Sequence, residues 1–138
     1  MSNSPNRILP QLSPENEFFW TAGADGRLRV LRCTDCGHYL HPPSPLCPKC
    51  MGRNLAPEEV SGKAEVITFT INHQPWIPGF DPPYAIAIVE LAEQKGLRLT
   101  TNIAACKPEE VAIGMKVRVV FEDAGQGVFV PLFEPEDR

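Results

Sequence analysis

The chain has 138 residues, a formal net charge of -4 and 43% hydrophobic side chains, the balance of one soluble domain or two small ones. No apolar run approaches the roughly 20 residues a membrane helix requires, and the opening MSNSPNRILPQLSPENEFFW lacks the basic region and apolar core of a secretory leader. The expected location is the cytoplasm, where thiols stay reduced and paired cysteines read as metal ligands rather than disulfides.

Residues 1–12 carry Pro5 and Pro10 without periodicity and read as an extended arm. Ser13-Pro14 is expected to open a short helix, with Ser13 as its cap and Glu15 and Glu17 complementing its dipole. That helix carries Phe18, Phe19 and Trp20 and stops near Gly23-Ala24-Asp25-Gly26. RLRVLR, residues 27–32, alternates charged and apolar side chains and predicts a strand. Residues 33–50, CTDCGHYLHPPSPLCPKC, hold two Cys-x-x-Cys pairs ten residues apart, and MGRNLAPEEVSG then reads as a linker closed by Gly62.

From Lys63 onward the pattern is one of strands. KAEVITFTINH is rich in β-branched residues, with Ile67, Phe69 and Ile71 expected on one face. HQPWIPGFDPP is a proline-rich loop, and YAIAIVEL, almost wholly apolar, reads as a central strand. LRLTTNI places Leu97, Leu99, Thr101 and Ile103 on one side, and KPEEVAIG is a short helical or turn segment. MKVRVVFE places Met115, Val117, Val119 and Phe121 on one face, and VFVPLF ends the set, with Pro131 marking an edge. Five strands with a short insertion before the fourth fit a small OB-fold barrel, with an open sandwich as the alternative. The expected class is mainly β: arm and aromatic helix over residues 1–26, a four-cysteine ribbon over 27–60 and an OB-fold over 61–138.

Cys33, Cys36, Cys47 and Cys50 supply the four thiolates that a tetrahedral zinc site takes, and Gly37 stands where the first knuckle must turn. Such a site has no open position for water or substrate, so it predicts a structural zinc clamp and not a Lewis acid. Iron suits the same ligands and would make an electron carrier. His38 and His41 are surplus to the metal and read as partly exposed loop residues. Cys106 reads as a buried inert thiol, with His73 as its one potential partner outside the ribbon. The chain carries no glycine-rich phosphate loop, Gly-x-Ser-x-Gly or His-Glu-x-x-His, and no catalytic residue is assigned. Between Gly26 and Arg53, five basic residues face Asp35 alone, a patch that suits a phosphate and is too small for a long polyanion.

The order of these parts resembles the acyl-CoA-associated family long filed as a domain of unknown function, with a rubredoxin-like zinc ribbon followed by an OB-fold. The resemblance rests on EFFW, GRLRVLRCTDCG, PPSPLCPKC, VSGKAEVITFT, PPYAIAIVEL and IGMKVRVVFE, and spans about Phe18 to Phe133. It implies a non-catalytic accessory subunit of a thiolase-fold acyl-CoA enzyme. Such partners include aldolases of steroid side-chain degradation, thiolases and hydroxymethylglutaryl-CoA synthase, with a hot-dog-fold hydratase as a further partner type. It implies a hetero-oligomer of two plus two chains that handles acyl-CoA jointly.

On that basis Phe18, Phe19, Trp20, Trp76 and Phe80 are the expected partner surface near an acyl-CoA tunnel, with large rings as anchors. Arg27, Arg29 and Arg32 are the expected contacts to CoA phosphates. The rival reading is a single-stranded nucleic-acid-binding OB module. The barrel's acids outnumber its bases, which opposes that rival, so neither nucleic acid nor membrane is an expected partner.

Overall fold

The computed structural model describes residues 8–75 and 81–137. Its elements are a four-residue helix α1 (Glu17–Trp20), a 3-10 turn (Ala22–Asp25), strands β1 (Arg29–Cys33), β2 (Tyr39–Leu40), β3 (Leu55–Glu59), β4 (Lys63–Asn72), β5 (Tyr84–Leu91) and β6 (Arg98–Asn102), a 3-10 turn (Pro108–Glu110), β7 (Lys116–Gly125) and β8 (Val128–Pro135). They form an antiparallel sheet in the order β2-β1-β3 and a five-stranded sheet in the order β6-β5-β4-β7-β8.

The larger sheet curls until its two ends meet. A parallel bridge joins Ile103 to Phe133, and the Ala104 amide donates to the Phe133 carbonyl at 2.7 Å. This is the partly open five-stranded barrel of an OB-fold. Its interior follows the expected periods: Leu97, Leu99, Thr101 and Ile103 are all buried, and β5 lies between β4 and β6 with Ala85, Ala87, Val89 and Leu91 inside. Val117 and Phe133 are fully enclosed from the β7–β8 side.

In β4 the expected face is modified by a bulge. The register shifts between Val66 and Thr68, so Val66 pairs with Val89 but Thr68 with Ile88. A bulge adds one residue and inverts the facing of the rest of the strand. Ala64 and Val66 point inward before it, and Phe69 and Ile71, opposite buried Ala87 and Ala85, point inward after it. The inward set therefore changes from even to odd numbers within one strand, with Ile67 as the extra residue.

The expected linker contains a strand. β3 pairs with the whole of β1, from Arg29 opposite Glu59 to Cys33 opposite Leu55. Pro57 is tolerated because β3 lies at the sheet edge, where a missing N–H costs no ladder bond. Two arginines border this pairing: Arg27, just before β1, meets Glu59 at 3.5 Å, and Arg32 of β1 meets Glu58 at 3.9 Å.

The helix starts later than Ser13. The Asn16 and Glu17 amides both donate to the Ser13 carbonyl, and the Ser13 amide donates to Asn16 Oδ1 at 2.8 Å. The Asn16 side chain, rather than the Ser13 hydroxyl, thus closes the turn that leads into α1. One core unites these parts: Phe19 from α1, Leu28 and Val30 from the ribbon side, and Val60 pack with the barrel's Val66, Val89, Leu99 and Phe133. Gly23 lets the second turn lie against β7 and β8, because a Cβ there would stand 2.4 Å from Phe129 Cβ and 2.7 Å from the Phe121 ring.

Candidate metal centre and adjoining groove

The four cysteines converge as their spacing requires. All four sulfurs lie within 4.8 Å of one another. Cys33 and Cys50 stand 3.6 Å apart, and Cys36 and Cys47 3.7 Å. A zinc tetrahedron with bonds of about 2.3 Å has edges of about 3.8 Å, so the sulfurs stand close to bonding positions. They hold structural zinc.

The two knuckles repeat one backbone pattern. Gly37 N–H donates to the Cys33 carbonyl at 2.8 Å, and Met51 N–H to the Cys47 carbonyl at 2.9 Å. Cys33 N–H donates to the His38 carbonyl and Cys47 N–H to the Gly52 carbonyl, each at 2.9 Å. The residue after each second cysteine is left-handed: Gly37 at φ +82 and Met51 at φ +66. The first of these positions was legible as glycine; the second, a methionine in a conformation it rarely adopts, was not. Burial opposes ionisation of the Cys47 thiol, yet backbone N–H groups of Cys50 and Lys49 bring it down to about 7, while Cys50, despite its Gly52 backbone hydrogen bond, is pushed up to about 12 by the neighbouring thiols. Thiolate is the ligand form. Asn54 couples the knuckles by donating to the Asp35 carboxylate at 3.1 Å and accepting from Thr34 N–H and Oγ1.

His38 is half-buried and its carbonyl serves the first knuckle. His41 does more than the sequence indicated. Its ring stacks on Phe19 with centroids 4.7 Å apart, its Nδ1 is buried without a hydrogen-bond partner, and burial lowers its pKa to about 4. His41, Pro42 and Pro43 form one wall of a groove of about 550 Å³. Phe19 and Trp20 form a second wall, and Leu99, Asn102, Val130 and Leu132 line the floor along the open β6–β8 seam. No sequence signal pointed to this groove, because its walls come from segments some 20 to 110 positions apart.

Of the expected partner-surface rings, Phe19 is 5% exposed and belongs to the core. Phe18 and Trp20 pack partly against that core, and Trp20 sits edge-on to Phe19 at 5.0 Å. Trp76 and Phe80 lie outside the described residues. The three arginines are engaged within the protein: Arg29 with Asp25 at 2.8 Å, Arg27 with Glu59, and Arg32 with Glu58, with its guanidinium 4.5 Å over the Tyr39 ring. Cys106 is half-buried against the barrel core rather than enclosed, and His73 is exposed. No helix among the described residues is long and apolar enough to cross a membrane.

A four-cysteine ribbon sharing a core with a five-stranded barrel defines a zinc-ribbon OB-fold protein, and the comparisons agree. Residues 20–56 match the family described as ChsH2, rubredoxin-like zinc ribbon domain, and residues 57–122 match ChsH2, C-terminal OB-fold domain. The chain belongs to this ChsH2-type DUF35 family. It is 42% identical over 104 residues to a DUF35 domain-containing scaffold protein of Methanocaldococcus jannaschii, covering 71% of this chain and 72% of that one. It is 35% identical over 129 residues to a probable enoyl-CoA hydratase alpha subunit of Thermomonospora curvata, covering 94% of this chain and spanning 40% of that protein. The solved Ltp2-ChsH2(DUF35) aldolase includes a chain that superposes with a TM-score of 0.83 at 35% identity, over 92% of this chain and 98% of that one.

Proposed function

We propose that this protein is a non-catalytic accessory subunit of a thiolase-fold acyl-CoA enzyme, with an aldolase-type carbon–carbon lyase as the favoured partner. The observation that carries this reading is the match to a chain of the Ltp2-ChsH2(DUF35) aldolase, which covers 98% of that chain. Relatives named as a DUF35 scaffold protein and as the alpha subunit of a 3-oxo-4,17-pregnadiene-20-carboxyl-CoA hydratase of Mycobacterium tuberculosis support a role inside a larger enzyme. The substrate class is an acyl-CoA thioester, with steroid side-chain thioesters as one candidate and the hot-dog-fold hydratase as the alternative partner. The coordination set has no place for a substrate, so the partner supplies the catalytic groups. A reducing cytoplasm suits four thiolate ligands.

Phe18, Trp20, Trp76 and Phe80 are the proposed contacts to that partner, with Phe19 supporting Trp20 from the core. Arg27, Arg29 and Arg32 are proposed to reach CoA phosphates by exchanging their exposed carboxylate partners. The nucleic-acid alternative gains no matching support, since Lys63, Arg98, Lys116 and Arg118 on the barrel each meet a glutamate. The test is capture of the tagged full chain from its native lysate with mass identification. A thiolase-fold or hydratase-type acyl-CoA enzyme in fixed ratio is expected, and Trp76→Ala is expected to weaken that complex while the zinc content stays unchanged. Recovery of nucleic acid, or of no acyl-CoA enzyme, would overturn the reading.

A further inference from the structure

The loop of residues 37–46 is tied at both ends by zinc ligands, Cys36 and Cys47, and carries the groove wall of His41, Pro42 and Pro43. The four ligands differ in access. Cys33 and Cys47 are fully buried, whereas Cys36 and Cys50 are exposed. Two sulfur pairs that run from one knuckle to the other each join an exposed cysteine to a buried one: Cys50 to Cys33 at 3.6 Å, Cys36 to Cys47 at 3.7 Å.

We propose that the ribbon is a peroxide-sensitive modification site, in which oxidation links Cys33 to Cys50 and Cys36 to Cys47 and releases the zinc. The exposed sulfur is the one hydrogen peroxide reaches. It takes one oxygen atom as the O–O bond breaks, giving a sulfenic acid and hydroxide. The buried thiolate beside it attacks that sulfur, forms the S–S bond and expels a second hydroxide; the buffer acid neutralises both hydroxides. Each link thus transfers two electrons from two thiolates to one peroxide. A disulfide is not a thiolate donor, so the first link removes half of the coordination set and the second removes the rest. Each link joins an exposed cysteine to the buried one in contact with it, so both run between knuckles rather than within a Cys-x-x-Cys unit. Both are disulfides, so a thiol reductant and added zinc reverse the change.

The Cys36–Cys47 link closes the same 37–46 loop that the zinc closes, so the wall of His41, Pro42 and Pro43 stays tied at its base while the metal is lost.

The test uses the full-length, zinc-loaded chain titrated with hydrogen peroxide, with released zinc read by a colorimetric chelator. Disulfides are mapped by non-reducing peptide mass spectrometry after cleavage at Asp35, Tyr39 and Lys49, which separates the four cysteines. Expected are about one zinc released per two peroxides and linked peptides joining Cys33 to Cys50 and Cys36 to Cys47, both reversed by dithiothreitol plus zinc. Zinc retained while Cys106 alone is oxidised, or links confined to Cys33–Cys36 and Cys47–Cys50, would overturn the proposal.

Discussion

Gln94 holds Tyr39 by both of its backbone polar groups: Tyr39 N–H donates to Gln94 Oε1, and Gln94 Nε2 donates to the Tyr39 carbonyl, each at 2.9 Å. The side chain thereby acts as a short surrogate strand, joining β2 of the ribbon to the β5–β6 turn of the barrel. Two half-buried hydrogen bonds of this kind contribute about 1–2 kcal/mol together. Gln94→Ala is expected to lower the urea midpoint accordingly while zinc stoichiometry stays intact. Gln94→Glu is expected to cost more, because a carboxylate cannot donate to the Tyr39 carbonyl. Equal stability of Gln94→Ala and the parent chain would show that the core alone seats the ribbon.

Gly23 is set by packing. An added methyl meets Phe129 Cβ and the Phe121 ring well inside contact distance, and these belong to the paired strands β7 and β8, which cannot yield freely. Overpacking of this kind costs about 1–3 kcal/mol. Gly23→Ala should therefore lower the thermal midpoint by several degrees. Gly26→Ala, where nothing stands within 4 Å, should show only the smaller strain of its φ of +75.

His41 predicts a pH dependence of defined sign. Its folded pKa, lowered to about 4 by burial, lies below the roughly 6.5 of an unfolded chain. Above that unfolded value the ring is neutral in both states and contributes no slope. As pH falls toward 4, the unfolded chain binds a proton that the folded chain refuses, so stability declines, and the slope ends below the folded value. The loss is on the order of 3 kcal/mol. Acid also protonates the cysteine ligands, so the measurement is the difference between the parent chain and His41→Phe, which retains the stack on Phe19. Relative to that variant, the parent should lose stability between pH 7 and 4 and hold constant above pH 7; a difference that does not change with pH would refute the assignment.

The arginine patch is a local illusion of the sequence window. Counted over residues 26–53 it is basic, but β3 lies just beyond that window and places Glu58 and Glu59 beside Arg32 and Arg27. Exposed pairs of this type contribute little. The double variant Glu58→Gln/Glu59→Gln should leave stability within about 0.5 kcal/mol and, if the arginines engage CoA phosphates, should strengthen CoA binding by the complex. Unchanged CoA affinity would count against that role.

The sequence by itself determined the metal centre, because ligand number and spacing leave few arrangements for four thiolates, and most of the barrel's inner face, because strand period follows from burial. Leu97, Leu99, Thr101 and Ile103 needed nothing else. The zinc-ribbon and barrel order could also be read directly from residue pattern. What escaped was decided by contacts distant in sequence. A bulge at Ile67 changes facing without altering composition, and β3 exists because β1 offers it an edge to pair with. The groove exists because the barrel seam stays open between β6 and β8 until Ile103 meets Phe133, leaving Trp20 and His41 to wall the gap. Periodicity reports which side of a strand is dry; only tertiary packing sets what stands on the other side of the space.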